Sequence, residues 1–320
     1  MLVATSDPAL RCIDMESRAF DRRRWRQLPA ALALLAPSAI VLGAFIVYPL
    51  VKAIFLGRQR CNSTGTRCVD AGWDQYSDTF RSTEFQHALL VTAEFALITV
   101  PLGLAFGIGL AVLAHKHLSG VGVFRAIFSS TVATSVAVAS LMWLFLLQPS
   151  VGVLSNVGWI ADAFPVVKQP GLLNDPGTAL WSVGLSSVWA NLGFTFIIIT
   201  AGLQSIPDDL YEAAALDGAT GTGRFWRITL PLLGPSLLFV LIVLTTRAFQ
   251  AYGEIDLLTE GGPRPDDSTT TITYLTYGRN SIMATDQGLQ ATTAVLLFVV
   301  LLGLSFLQLW SIGRRVHYGD

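Results

Sequence analysis

Long apolar runs from which every charged residue is excluded alternate along the chain with polar connections. Residues 28–51, 95–114, 126–147, 176–207, 228–246 and 288–313 contain no Asp, Glu, Lys or Arg. Each run is close to or above the roughly 20 residues that a helix needs to cross about 30 Å of hydrocarbon, where every backbone N–H and C=O must be paired internally. The pattern predicts an all-α integral membrane protein with six transmembrane helices, at approximately 28–56, 87–114, 124–147, 179–203, 232–252 and 288–312. The second and fifth helices extend past their uncharged parts and so take in Glu94 and Arg247. A soluble core accommodates one such run, but six in 320 residues leave no chain to cover them.

Composition agrees with the pattern. Hydrophobic residues make up 52% of the chain and charged residues 13%, whereas soluble domains carry roughly a quarter charged residues. An ordinary soluble enzyme and a disordered chain are both excluded. The 21 basic and 22 acidic residues give a net charge of −1, so there is no basic field of the kind that captures nucleic acid. The basic residues also set an orientation. Arg11, Arg18, Arg22, Arg23, Arg24 and Arg26 precede the first apolar run, which predicts a cytoplasmic N-terminal segment at 1–27. Six crossings then return the tail at 314–320 to the cytoplasm, with the loops around Lys116 and Arg125 and around Arg224 and Arg227. The bias is moderate, because Arg58, Arg60, Arg67 and Arg81 crowd the first outer loop. The first apolar run lacks a short apolar stretch followed by a small-residue cleavage site, and it reads as a retained anchor.

Three cysteines are too few for a disulfide framework or a four-ligand zinc site. Cys12 is expected to be a free cytoplasmic thiol. Cys61 and Cys68 flank CNSTGTRC in the outer loop, where an oxidising compartment allows a small closed ring and two free thiols fit the spacing equally. His87, His115, His117 and His317 have no carboxylate company, and the i, i+2 spacing of His115 and His117 does not converge on a helix, so no metal site is predicted. The sequence GATGTGR at 218–224 contains glycines but not the G-x-x-x-x-G-K-[ST] that cradles phosphate, and no HExxH or GxSxG occurs. No catalytic residues and no cofactor of its own are predicted for this chain.

The most informative connection is 204–231. Pro207, Asp208 and Asp209 suit the first turn of a helix. LYEAAALDGA then favours helix, Gly218 offers a stop, and a second helix is expected from near Arg224 through Pro231. On physics alone such a segment is a surface connector. Its spacing carries more. Glu212-Ala213-Ala214, three residues, Gly218, nine residues and then Ile228, Thr229, Leu230 and Pro231 resemble the EAA signature of permease subunits in binding-protein-dependent ABC importers.

That resemblance implies a type I importer permease fold in a bacterial inner membrane, with 204–231 as a coupling loop docked on an ATPase. It implies that Glu212 makes polar contact with the ATPase, that Ala213 and Ala214 allow close approach, and that Gly218 sets the turn, with Asp217, Ile228, Leu230 and Pro231 completing the element. The implied partners are two copies of an ATPase subunit that bind ATP and Mg, a homologous second permease and an extracytoplasmic solute-binding protein. The resemblance extends from YPL at Tyr48–Leu50 to the tail, and LLTEGGP at 257–263 is similar to the pattern of maltose-type carbohydrate permeases. RRVHY at 314–318 is similar to the permeases of sn-glycerol-3-phosphate importers. The cargo implied is glycerol-3-phosphate or a glycerophosphodiester, with a di- or oligosaccharide as the alternative. A stand-alone secondary transporter is the more distant reading, and the chain shows neither the repeats nor the several intramembrane charges expected of one.

Intramembrane charges are costly and face a cavity or a partner. Arg247 falls roughly 20 Å along the fifth helix at 1.5 Å per residue, where it meets an anionic or hydroxyl-rich substrate or pairs with Glu94 of the second helix. Glu254 and Asp256 continue outward from it, and Phe249, Tyr252 and Tyr274 offer apolar faces to a substrate or serve as packing.

Overall fold

The computed structural model describes residues 32–62, 64, 67–115, 120–156, 170–262 and 267–313. The arginine-rich segment 1–27, Lys116, His117, Pro263 and the tail from Arg314 lie outside the described residues. Helix α1 (Leu32–Leu56) has 25 residues with a mean hydropathy of 2.3 and belongs to a unit that ends at Phe55, while the rest of the chain forms a second unit. Within α1 the Tyr48 N–H bonds the Gly43 carbonyl five residues back. The widening has a local cause: Pro49 follows, and a proline ring clashes with the carbonyl four residues before it.

The second unit opens on a hairpin, β1 (Gln59–Cys61) and β2 (Cys68–Asp70), in which Cys61 pairs with Cys68 and the two are joined by a disulfide. Next come α2 (Asp74–Arg81) and α3 (Thr83–His115). The hairpin is held against α12 (Gln287–Gly313). Asp286 Oδ1 accepts from the N–H groups of Gly288 (2.8 Å) and Leu289 (3.2 Å) in the first turn of α12, and from that of Cys61 (3.0 Å). One carboxylate therefore caps a membrane-length helix and seats the hairpin. Asp286→Ala leaves three backbone donors without their acceptor and is expected to weaken the seat by roughly 1–3 kcal/mol, read as faster proteolysis and amide exchange over 57–70 with exchange in α3 unchanged.

Four helices are long and apolar enough to cross a membrane alone: α1, α3, α6 (Pro176–Gln204) and α12. Two bent pairs complete six spans. The first is α4 (Val121–Ala133) with α5 (Val136–Leu147), the second α8 (Gly221–Leu232) with α9 (Gly234–Phe249), bent by 105° and 67°. The helix expected at 124–147 is therefore two helices meeting at a bend, whereas the second bend falls at the start of the span expected at 232–252 and leaves α9 unbroken. The first bend is imposed from outside: a Cβ on Gly193 of α6 would lie 2.6 Å from Val132 N and 2.9 Å from the Phe128 carbonyl. Only a residue without a side chain lets that backbone turn against α6. The second bend falls at Leu233 between Pro231 and Pro235. Its approach repeats the α1 pattern, with the Leu230 N–H bonded to the Phe225 carbonyl ahead of Pro231.

Helix α3 has 33 residues and is about 50 Å long. It starts at Thr83 and not near 87, because Ser82 Oγ accepts from the Phe85 N–H at 3.2 Å and caps it. Its buried face includes Phe95, Gly103, Gly107 and Ala111, and it joins the hairpin end of the unit to the end bearing α7 (Asp208–Leu216). Small residues let α3 and α6 approach, as helix pairs in lipid require. The short helices α10 (Gly253–Leu258) and α11 (Ile272–Tyr277) lie beyond α9.

Candidate functional site

Helix α6 is uncharged but not uniformly apolar. Ser187, Asn191 and Thr195 recur every four residues and so share one face. A polar stripe in a spanning helix must meet partners or a water-filled space. Here it meets both. A cavity of about 500 Å³ is lined by Ser187, Asn191 and Phe194 of α6, by Thr134 at the α4–α5 bend, and by Arg247, Tyr252 and Glu254. It lies at mid-span: ten residues of α6, or about 15 Å, separate it from either end of the helix.

Arg247 Nη1 donates to Asn191 Oδ1 at 2.5 Å, and its guanidinium carbon lies 4.5 Å from the centre of the Phe194 ring. The ring face supports the cation, and the remaining donors of the guanidinium are open to the cavity. Glu254 Oε1 accepts from Ser187 Oγ at 3.2 Å. Asn191 also donates to the Ser187 carbonyl at 2.8 Å. Cation, carboxamide, hydroxyl and carboxylate therefore ring one space, the arrangement that holds a polar, hydroxyl-bearing solute in place of its water.

The structure gathers Arg247, Tyr252 and Glu254 here and leaves three other expected residues elsewhere. Glu94 is exposed on the face of α3 that carries Leu90 and Leu97. It makes no ion pair with Arg247, which turns toward α6 instead. Phe249 is buried, 5% exposed, and packs in the core. Asp256 is taken by Arg279, whose Nε and Nη2 donate to its two oxygens at 3.2 and 3.0 Å. That hydrogen-bonded carboxylate holds the Arg279 guanidinium above its usual range. Tyr252 stacks on the buried Tyr274 with ring centres 6.2 Å apart, so Tyr274 backs the cavity wall. Asn191, Ser187 and Phe194 were not anticipated. Their signal was the four-residue polar recurrence in an otherwise apolar run.

At the other end of α3, α7 presents Glu212 and Ala213 outward and turns Ala214 inward. Asp217 caps it. Gly218 follows at φ +75°, and its N–H bonds the Ala215 carbonyl at 3.1 Å while the Ala219 N–H bonds that of Ala214 at 2.9 Å. This paired arrangement closes a helix on a left-handed glycine. Thr220 Oγ1 accepts from the Gly223 N–H at 3.2 Å and opens α8. In α8, Ile228 and Leu230 are half-buried and Pro231 is exposed. Leu210, Leu216 and Trp226 are exposed, by 42%, 90% and 62%. Asp208, Asp209, Glu212 and Asp217 are exposed as well, so this part of the chain offers both large apolar side chains and acids to a partner.

Six spans, two of them bent, a polar cavity at mid-span and a short helix standing clear at one end define a membrane transport subunit. Residues 103–315 match the family of binding-protein-dependent transport system inner membrane components, and the chain belongs to that family of non-catalytic ABC importer permeases. It is 31% identical over 291 residues to the sn-glycerol-3-phosphate transport system permease protein UgpA of Agrobacterium fabrum, covering 89% of this chain and 95% of that one. To the trehalose/maltose transport system permease protein MalF of Thermococcus litoralis it is 29% identical, over 94% and 99% of the two chains. The fold matches a bacterial alginate ABC transporter solved with an alginate pentasaccharide-bound periplasmic protein, with a TM-score of 0.74 at 23% identity over 93% of this chain and 99% of that one. The type I importer permease architecture is shared along almost the whole chain.

Proposed function

We propose that this permease forms half of the path by which an anionic polyol phosphate, glycerol-3-phosphate or a glycerophosphodiester, crosses the inner membrane by alternating access. The observation that carries the proposal is Arg247, a guanidinium inside a spanning segment with donors open to the mid-span cavity. A fixed cation with a planar fork suits phosphate. The names of the relatives with which the chain aligns along most of its length support the same cargo. A second homologous permease supplies the other half of the path, and a solute-binding protein delivers the cargo to the hairpin end. Two ATPase subunits, which bind ATP and Mg, grip α7 and its counterpart, with both chain termini on their side of the membrane.

Tyr252 favours the second reading, a di- or oligosaccharide, since its ring lines the cavity, backed by the buried Tyr274, and offers an apolar surface to a sugar face. Uptake by vesicles carrying the assembled importer decides between them. Competition by glycerol-3-phosphate at a small molar excess, with none by maltose or trehalose, is the expected result; the reverse order establishes the sugar reading.

A further inference from the structure

Helix α7 follows α6 through Ser205–Pro207, where Ile206 is buried in the core, and is otherwise attached to the rest of the molecule by little. Among its residues only Ala214 is buried and Tyr211 half-buried; the others are exposed. A cavity of about 420 Å³ lies behind it, lined by Val112 and His115 of α3, Leu203 of α6 and Phe225 of α8. Helix α7 therefore does not rest on close-packed side chains at that point. Its covalent link to α8 is the turn 217–220, which contains Gly218 and transmits torque poorly. Among the described residues, one side-chain hydrogen bond leaves α7 for another helix: Tyr211 Oη to Thr229 Oγ1, 3.1 Å.

Thr229 is well placed to receive a load. It is 6% exposed and ends the widened turn of α8. Its carbonyl accepts from the N–H of Leu233 at 2.9 Å, and the Leu233 carbonyl accepts from the N–H of Leu237 in α9 at 2.9 Å. Leu233 is fully buried at the 67° bend, its side chain against α6 at Gly202. Beyond the bend α9 runs without interruption to Arg247. On the side of α8, a movement of α7 thus reaches Thr229, then the pivot, then the cavity cation.

We propose that the Tyr211–Thr229 hydrogen bond is the strut that carries displacement of α7 to the bend at Leu233 and so to Arg247. Both are positioning residues, since neither touches the cavity that holds Arg247. The inference rests on the reading of α7 as the element an ATPase grips.

The test uses the complete importer in proteoliposomes and measures solute moved per ATP hydrolysed, together with the amount of ATPase retained on purification. Tyr211→Phe and Thr229→Val each remove one hydroxyl and little volume. Each is expected to lower the transport-to-hydrolysis ratio by about three- to tenfold, the range one hydrogen bond spans, with ATPase retention unchanged. Thr229→Ser keeps the hydroxyl and restores the ratio, and the double variant Tyr211→Phe/Thr229→Val is no worse than either single one, as a shared interaction requires. A wild-type ratio in Tyr211→Phe overturns the strut. So does a loss of ATPase retention in both single variants, because the bond then only supports the docking surface. Failure of the unaltered complex to retain any ATPase overturns the reading of α7, and the strut with it.

Discussion

Glu212→Lys and Gly218→Pro are each expected to abolish ATP-driven uptake while leaving the chain inserted in the membrane. Glu212 is exposed on α7 and makes no hydrogen bond or ion pair among the described residues, so its replacement costs the isolated fold almost nothing. In a docked interface the outcome differs: reversing a charge that a partner has desolvated costs roughly 3–5 kcal/mol, or about two to four orders of magnitude in association. Gly218 acts through the backbone. At φ +75° it sits where proline, fixed near −65°, cannot go, and proline also lacks the N–H that closes the helix on Ala215. The exit of α7 would be rebuilt and its outer face re-aimed. Gly218→Ala keeps the N–H and meets no neighbouring atom, so it should cost only about 1 kcal/mol of left-handed strain and reduce uptake mildly. Membrane insertion of all three variants, followed by uptake and by ATPase retention, checks the set. Equal defects in the alanine and proline variants would place the role of Gly218 in something other than its conformation.

Arg247→Gln is the second change with a large expected effect. It keeps a polar side chain, shorter than the one that reaches Asn191, and removes the charge from the cavity. A charge-assisted hydrogen bond is worth about 1.5–3 kcal/mol, so half-saturation for a phosphate-bearing solute should rise roughly ten- to hundredfold. Arg247→Lys keeps the charge without the planar fork and should fall between. Insertion is not at risk, since a neutral residue is easier to place in hydrocarbon than arginine. Uptake of a neutral disaccharide, if any occurs, should be unaffected. An unchanged half-saturation for glycerol-3-phosphate in Arg247→Gln would make the arginine a helix-packing residue and remove the main support for an anionic cargo.

Much of this was readable from residue order, and the remainder has particular causes. The exclusion of charge from 95–114, 176–207 and 288–313 predicts α3, α6 and α12 because lipid penalises any charge along a straight span. The same signal predicts an unbroken helix at 124–147, yet the break there depends on Gly193, some 60 residues later, into whose missing side chain the backbone turns. The bend at Leu233 is different, for Pro231 and Pro235 bracket it in sequence. Arg247 stands out as a lone intramembrane cation, but its partner does not. Glu94 and Asn191 are both in adjacent helices, and only the rotation of α3, which points Glu94 outward beside Leu90 and Leu97, excludes the ion pair. The exposed and buried faces of α7 follow the same rule. Spacing identifies Glu212, Ala214 and Gly218 as one element, while Tyr211 gains its importance only from Thr229 lying 3.1 Å away.

In the proposed function an ATPase drives this permease by acting on α7. The most direct measurement purifies the chain in mild detergent from a membrane that also contains its partner subunits, and follows ATP hydrolysis in the eluate as solute-loaded binding protein is added. The expected result is retained ATPase whose hydrolysis rises with the loaded binding protein, and loss of both retention and stimulation when the chain carries Glu212→Lys. Retention and full stimulation with Glu212→Lys, or a wild-type chain that transports with no ATPase present, would contradict it.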